Sequence, residues 1–331
     1  MRRKLLFVTA CVLALALLAL SGCAASDATG IVGTTSATGS LAETGTAETG
    51  SETDMAFTAE TATTTGAAVT TSTTGQISTT GTTGTTAGKA EANMSESAKT
   101  IVAFLGCDYE HFANTMGYVI YARYEALVAQ GRKEGFTPLI LLPNDTLAEI
   151  FDFEFLDMVY GTGKTPASFA AWREQTIAQA AKLDAKALLG KKLPLWLRTG
   201  SFVPALPRTA LMVQRSVRPE EEALLVKIPT RNPWELAVWI PMGGFNECPD
   251  PMEQAAIFRY WHEQYGAVPA LLMGHDLWEL QLTRPPQSDA DCEALAKEHF
   301  NFCPDLALME GTTRGYASKL RGSTVWQFWW D

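Results

Sequence analysis

The sequence is short of histidine and of positive charge, and it contains no complete catalytic motif. Only four of its 331 residues are histidines, and 26 lysines and arginines stand against 36 acidic residues, which gives a formal net charge of -10. Because phosphate binding requires a basic surface, this balance argues against a nucleic-acid partner. A Gly-x-Ser-x-Gly nucleophile elbow is also absent.

Two motifs begin but are not completed. The segment GTGKT at 161–165 looks like the end of a phosphate-binding loop, but Met158 stands where the first glycine is required. His262 and Glu263 begin like a zinc-protease helix, but Gly266 stands where the second histidine is required. Neither a cofactor nor a metal site is therefore expected.

Long apolar runs are absent after residue 20, whereas the first 23 residues have the pattern of a lipoprotein signal peptide. Basic residues at 2–4 precede an apolar run over 5–20, and Leu-Ser-Gly-Cys at 20–23 forms a cleavage box. The pattern predicts a lipid on Cys23 that anchors the protein outside the bacterial cell membrane. An uncleaved anchor or an ordinary secretory signal is the alternative, although the run is rather short for a span of about 20 residues.

Residues 24–98 lack the apolar side chains that a core requires. They are almost wholly Thr, Gly, Ser, Ala and Glu, and the tetrapeptide Ala-Glu-Thr-Gly occurs at 42–45 and again at 47–50. Such a segment cannot offset its chain entropy by burial, so it is predicted to be a disordered tether. For about 75 residues the root-mean-square reach is on the order of 50 Å, which would hold the head (residues 99–331) away from the lipid.

Four cysteines remain in the head: Cys107, Cys248, Cys292 and Cys303. The pattern Asn-x-Cys-Pro-Asp occurs at 246–250 and again at 301–305. Asn and Asp satisfy backbone groups at helix boundaries, so capping is the favoured role. A Cys248–Cys303 disulfide and cysteine metal ligation are the alternatives. Cys292 lies on an apolar helical stripe and is expected to be buried.

The head is predicted to have an α+β fold in two parts. Residues 99–225 form a smaller α/β region, and residues 226–331 follow the order of a split β-α-β unit, an antiparallel sheet with helices on one face. Prolines between 190 and 219 predict loops with short edge strands. The predicted strands are 101–105, 137–142, 234–240, 268–273, 277–282 and 324–330. The predicted helices are 113–130, 146–155, 166–189, 251–265, 288–301 and 316–320.

Strand alternation assigns two faces to the C-terminal sheet, because successive side chains point to opposite sides. The face under the helices is predicted to carry Leu236, Val238, Ile240, Trp278, Leu280, Leu282, Trp326, Phe328 and Trp330. The opposite face is predicted to carry Trp239, Glu279, Gln281, Gln327 and Trp329. It is either an interface with the first part of the head or a ligand platform, on which the tryptophans stack and the other side chains orient the ligand.

Other residues are candidates for an enzymatic site. His275, Asp276 and Glu279 lie close together in the sequence; they are candidates for ligand binding and also provide acid-base groups. The cluster 107–111 contains a cysteine, two acids and a histidine after the first predicted strand, where α/β sheets often bind ligands. A metal site or a thiol nucleophile is the functional interpretation of that cluster, and an ordinary polar loop is the preferred one.

Several segments of about the last 100 residues together resemble one bacterial family. They are PMGGFNECP (241–249), YWH (260–262), YGAVP (265–269), HDLWE (275–279), FCPD (302–305) and VWQFWWD (325–331). This combination resembles a bacterial domain-of-unknown-function family, number four-two-five-three, with Trp278 as a departure where a smaller residue is expected. The resemblance implies a domain boundary and an α+β fold, and it implies no catalytic assignment.

The sequence therefore predicts a surface-tethered lipoprotein whose head is a non-catalytic module for a peptide, a cell-wall component or another envelope protein. The long tether, the acidic charge and the missing catalytic motifs favour this function. An extracytoplasmic hydrolase or other enzyme is one alternative. An envelope protein that neutralises a toxin is another.

Overall fold

The computed structural model describes residues 93–331, which contain one six-stranded mixed sheet. The strands are β1 (Tyr109–Met116), β2 (Thr137–Leu142), β3 (Pro219–Ile228), β4 (Val268–Met273), β5 (Leu277–Gln281) and β6 (Val325–Trp329). Their order across the sheet is β1-β3-β2-β4-β5-β6, so β1 and β6 are its edges. The central β2–β4 pair is parallel, and the other neighbours are antiparallel.

Twelve α-helices and one 3₁₀-helix (Pro233–Glu235) accompany this sheet in the described residues. The α-helices are α1 (Glu96–Leu105), α2 (Gly117–Glu134), α3 (Asp145–Glu149), α4 (Phe153–Tyr160), α5 (Pro166–Ala180), α6 (Ala185–Leu189), α7 (Met212–Arg215), α8 (Leu236–Trp239), α9 (Pro251–Tyr265), α10 (Asp289–Phe302), α11 (Pro304–Glu310) and α12 (Thr313–Leu320). None of the helices in residues 93–331 has the length and apolar character that crossing a bilayer requires.

The two predicted parts of the head share a single sheet. Strands β1 to β3 come from the first part and β4 to β6 from the second, and the β2–β4 pair joins them. The predicted boundary between residues 225 and 226 falls inside β3, a strand that the sequence analysis did not predict. The α+β class is confirmed, and the C-terminal strands β4, β5 and β6 are antiparallel as predicted.

The folded head begins before residue 99. Ser95 caps α1 by accepting a hydrogen bond from the amide of Ala98, and Met94 is buried. Residues 93–98 therefore belong to the head rather than to the tether. The signal peptide, Cys23 and the rest of the tether (residues 24–92) lie outside the described residues.

Two predicted strands are helical in the structure. Residues 101–105 lie in α1, where Ala98, Ile101 and Leu105 are buried at helical spacing and Gly106 ends the helix in the left-handed conformation. Residues 234–240 lie in the 3₁₀-helix, which Pro233 begins at the first helical position, and in α8, which follows it. A short apolar run does not distinguish a buried strand from a buried helix, and that ambiguity explains both errors.

Other predicted elements are confirmed with adjusted ends. Thr165 begins α5 with a capping box, but this helix ends at Ala180, and the predicted 146–155 helix is the two helices α3 and α4. Asp250 caps α9 and Ser288 caps α10, at the starts of the predicted helices 251–265 and 288–301. The predicted 113–130 helix begins later, at Gly117, because residues 109–116 form β1.

Helices cover both faces of the sheet, and each face has its own core. The larger core packs α9, α10, α11 and α12 against Trp278, Leu280, Trp326, Phe328 and Trp330. The smaller core packs α2 and α7 against the other face, at positions such as Leu271, Leu277 and Val325. Helices of both parts therefore cover the face with the larger core, where α1, α3 and α6 of the first part also contribute, and α2 and α7 of the first part cover the other face.

Candidate functional site

Strand β6 exposes a row of backbone groups along the outer edge of the sheet. The amide of Leu282 donates to the carbonyl of Thr324, and the amide of Trp330 donates to the carbonyl of Asp276. These two bonds flank β6, and they show that its even-numbered residues are the ones that bond to β5. Bonding alternates in an antiparallel pair. The amides and carbonyls of residues 325, 327 and 329 therefore point away from β5.

Neighbouring segments occupy the two ends of this row but not its middle. The amide of Val325 donates to the carbonyl of Arg208 at 3.1 Å, and the Cys303 thiol donates to the carbonyl of Trp329 at 3.1 Å. Within residues 93–331, the amide and carbonyl of Gln327 and the amide of Trp329 have no hydrogen-bond partner on this side. Such an open strand edge is a template for another extended chain.

These open groups lie in a groove of about 540 Å³, here named the β6 groove. One wall comes from α11 and α12, and the other comes from the loop before α7. The groove is lined by Leu206, Arg208, Leu277, Leu306, Met309, Glu310, Tyr316, Lys319, Leu320, Ser323, Val325, Trp326, Gln327 and Trp329. Leu206 and Met309 are 91% and 55% exposed, so apolar surface flanks the open backbone. The volume is in the range of ligand sites.

Arg208 connects the β6 groove to a buried carboxylate. Its Nη1 donates to the side-chain carbonyl of Gln327 and lies 3.7 Å from Oε1 of Glu279. Arg215 Nη2 approaches the same Oε1 at 3.2 Å, and the amide of Met212 donates to Oε2 at 2.7 Å. Two guanidinium groups thus share one carboxylate, which leaves an excess positive charge beside the groove.

Burial dominates the electrostatics of this group of charges. The Glu279 side chain is fully buried, and this desolvation raises the pKa of its carboxyl, against the opposing effects of the Met212 amide and the two arginines. Desolvation also lowers the pKa of Arg208, and the neighbouring Arg215 adds to that effect. An anion close to Arg208 would relieve the repulsion between the two guanidinium groups.

Trp329 is held by the turn between β4 and β5. Its Nε1 donates to Oδ2 of Asp276 at 3.0 Å, and the Asp276 carbonyl accepts from the amide of Trp330. The indole remains half-buried at the groove. Of the predicted ligand residues, Gln327 and Trp329 therefore line the groove, while Asp276 and Glu279 support it.

The other predicted ligand residues lie elsewhere. Trp239 is in α8 rather than in a strand, and Arg173 of α5 stacks on its ring at 3.5 Å from the centroid. Gln281 donates to the Tyr121 hydroxyl at 2.7 Å, at the end of β5 that lies farther from the β4–β5 turn. The His275 ring packs against Phe245, with 5.2 Å between ring centroids. The predicted face of five residues is thus divided, and the first part of the head covers most of it.

The side chains of His275, Asp276 and Glu279, which are candidate acid-base groups, contact different parts of the head. The histidine contacts Phe245, the aspartate contacts Trp329, and the glutamate is enclosed by Arg208 and Arg215. A catalytic acid and base must instead reach the same reacting group.

The cluster at 107–111 is also separated by its contacts. His111 Nε2 lies 2.8 Å from Glu222, whereas Glu110 forms a two-point ion pair with Arg123. Burial raises the pKa of the Cys107 thiol to about 11, which disfavours the nucleophilic thiolate at neutral pH. Within residues 93–331, no three His, Cys, Asp or Glu side chains are arranged to hold a metal ion.

Cys248 and Cys303 are both buried thiols in this structure, as is Cys292. Cys248 lies 3.7 Å from the Met242 sulfur, while Cys303 bonds to the Trp329 carbonyl. The Cys248–Cys303 disulfide stays a prediction. Asp250 and Asp305 occupy helix boundaries, and Asp250 accepts the amide of Glu253 as a cap.

Arg208 and the exposed walls formed by Leu206 and Met309 have no local signal in the sequence. The segment before α7 is an irregular loop without periodicity, so no local pattern indicates that it lies beside β6. The short β-bridge between Arg198 and Thr312 illustrates how this loop follows the second part of the head. Only long-range packing brings these residues to the groove.

Residues 224–331 match the model of a family described as domain of unknown function DUF4253. This match confirms the resemblance of the C-terminal segments. Strands β4, β5 and β6 fall inside the matched residues, whereas Arg208 and Arg215 precede them. No curated protein and no solved structure matches the chain.

Proposed function

We propose that the chain carrying this DUF4253 domain is a lipid-anchored extracytoplasmic binding protein whose head captures an extended peptide in the β6 groove. The open backbone at Gln327 and Trp329 is the observation that carries this proposal. Peptides that add a strand to a sheet edge gain affinity from main-chain hydrogen bonds and specificity from pockets for alternate side chains. The β6 groove offers both features.

The groove favours a peptide with apolar residues and one acidic residue. Leu206 and Met309 provide exposed apolar contacts along the strand edge. Arg208 provides a guanidinium that is 38% exposed and that shares its carboxylate partner with Arg215. Lys319 and Glu310 neutralise each other at 2.6 Å, so Arg208 supplies the excess charge. A carboxylate on the peptide would form a charge-assisted hydrogen bond there.

The predicted lipid on Cys23 would place this module outside the cell. A tether of about 70 residues (24–92) would give the head a reach on the order of 50 Å from the membrane. A peptide or an extended segment of another envelope protein would be accessible within this volume. The proposal therefore joins a localisation read from the sequence to a binding edge built by the fold.

A displayed library of random octapeptides, selected on the mature chain, tests this proposal. We expect enriched peptides to combine alternating apolar residues with an acidic residue. Their affinities are then measured for wild type, Gln327→Pro and Gln327→Ala. Proline removes an amide that points away from β5, so the β5–β6 pairing is retained while the bond to the peptide is lost.

Gln327→Pro should weaken binding by about tenfold or more, whereas Gln327→Ala, which keeps the amide, should change it much less. Thermal melting of both variants controls for folding. Equal affinity of a selected peptide for wild type and a folded Gln327→Pro would refute strand addition. A library that yields no enriched peptide would also contradict the proposal.

A further inference from the structure

A second groove lies where strands β2 and β4 begin and strand β5 ends. It has a volume of about 580 Å³ and forms where the last turns of α2 meet the segment after β3 and the end of α9. Tyr124, Val128 and Phe136 give it apolar walls, and Tyr124 is only 1% exposed. We name it the arginine groove, because Arg132 and Arg231 also line it.

Both arginines lack a carboxylate partner. Within residues 93–331, neither Arg132 nor Arg231 forms an ion pair, although eight other pairs of Lys or Arg with Asp or Glu occur there. Arg231 Nη1 donates to the carbonyl of Arg132 at 3.3 Å, which places one guanidinium over the backbone of the other arginine. This bond uses one of five guanidinium donors, so most donors of both residues remain available for a ligand.

One acidic residue also lines the arginine groove, and it is engaged. Glu125 Oε1 accepts a hydrogen bond from Tyr121 at 2.9 Å, and the Tyr121 hydroxyl accepts another from Gln281 at 2.7 Å. Because two guanidinium groups and one carboxylate line the groove, it carries an excess positive charge. The fold thus combines apolar walls with cationic donors in a space of ligand size.

We infer that the arginine groove binds a small organic anion, which consists of an apolar body and one carboxylate or phosphate group. The apolar body would contact Val128 and Phe136, and the anionic group would accept hydrogen bonds from Arg132 and Arg231. Guanidinium groups match both anions with paired donors. This site does not depend on the β6 groove or on peptide binding.

Calorimetric titration of the mature chain with three probes tests this inference. Phenylbutyrate and phenyl phosphate carry the two anionic groups, and phenylbutanol has the apolar body without a charge. We expect at least one anion to bind at concentrations up to about 10 mM and the alcohol to bind at least about tenfold more weakly. Binding of only one anion supports the site and identifies the anionic group that it accepts.

Variants then locate the binding. Arg132→Gln and Arg231→Gln should each lower the affinity for the anion by about tenfold, because each removes one charge-assisted contact. Lys133→Gln is the matched control, since Lys133 is an exposed neighbour of Arg132 that does not line the groove, and its affinity should equal that of wild type. Arg132 is exposed and forms no side-chain bond within residues 93–331, so its variant should fold normally.

Three results would overturn the inference. They are no binding of either anion, equal binding of phenylbutanol, and an unchanged affinity in both arginine variants. Far-ultraviolet circular dichroism at the titration temperature confirms that each variant is folded before its affinity is compared.

Discussion

Trp329 donates a hydrogen bond from its indole nitrogen to the Asp276 carboxylate at 3.0 Å, and this contact fixes the end of the last strand to the β4–β5 turn. The same turn accepts the amide of Trp330. The edge that forms the β6 groove is therefore held in place by side-chain and main-chain contacts to one turn.

A double-mutant cycle measures this contact. Trp329→Phe removes the donor and Asp276→Ala removes the acceptor, and we expect a coupling free energy of about 1 kcal/mol, because the hydrogen bond is partly exposed. Urea unfolding of the wild type, both single variants and the double variant gives the value. Simple additivity of the two changes would show that the contact does not stabilise the fold.

His299 predicts an acid sensitivity of the head. The ring is fully buried among Trp261, Trp326 and Phe328, with Tyr316 as its hydrogen-bond partner, and this desolvation holds the pKa of His299 well below its ordinary value. Below about pH 6.5 the unfolded chain gains a proton that the folded chain does not, so stability falls as the pH falls.

The size of this effect follows from linkage. Between about pH 6.5 and pH 5 the loss attributable to His299 should approach about 2 kcal/mol. His299→Leu should reduce the difference in unfolding free energy between pH 7 and pH 5 by that amount, even if the variant is less stable at both values. Urea unfolding at the two pH values gives the comparison. An identical pH dependence in wild type and variant would contradict the prediction.

The buried thiol of Cys303 and the partly buried thiol of Cys107 should react slowly in the folded protein. Burial raises the pKa of Cys303 to about 12 and that of Cys107 to about 11, so little thiolate forms at pH 8. We expect iodoacetamide to modify both residues much faster in urea than in buffer, as measured by peptide mass mapping. Rapid labelling of Cys303 in the folded chain would contradict this result.

The same labelling experiment tests the alternative of a Cys248–Cys303 disulfide. If these two cysteines are bridged in the protein as it is expressed, both resist iodoacetamide in urea until a reductant is added. Labelling of both in urea without reductant would exclude the bridge. Cys107 is a control within the same chain, because it has no predicted partner.

The proposed lipid on Cys23 predicts that replacing this residue changes the compartment of the protein. In a bacterial host, Cys23→Ser should abolish incorporation of an alkyne-labelled fatty acid and should move the protein from the membrane fraction to the soluble or secreted fraction. Cys11→Ser is the matched control, since it lies within the apolar run of the signal. Continued fatty-acid labelling of Cys23→Ser would disprove the lipidation site.

Local signals in the sequence identified several elements and parts of the site. Thr165, Asp250 and Ser288 stand at the starts of predicted helices, and each accepts an amide in the structure. Alternation along the last two strands separated the buried Trp326, Phe328 and Trp330 from Gln327 and Trp329. These features depend on interactions over a few residues, so composition and periodicity determine them.

Other features depend on which segments meet in space. Residues 234–240 have the composition of a buried strand, yet they pack as a helix against α5 and α9, which removes Trp239 from the predicted platform. Strand β3 begins with a proline and three acids, a pattern that gave no strand signal, although it lies between β1 and β2. Tertiary packing overrides local preference in such short segments.

The sequence by itself predicts the signal peptide and the tether, and it determined the helix caps and the inward face of the last strand, because each depends on a local pattern. Tertiary structure alone decided that both parts of the head share one sheet, that β6 is its edge, and that Arg208 reaches Gln327 and Glu279. These relationships join residues far apart in the chain, through strand order and burial that no local pattern specifies.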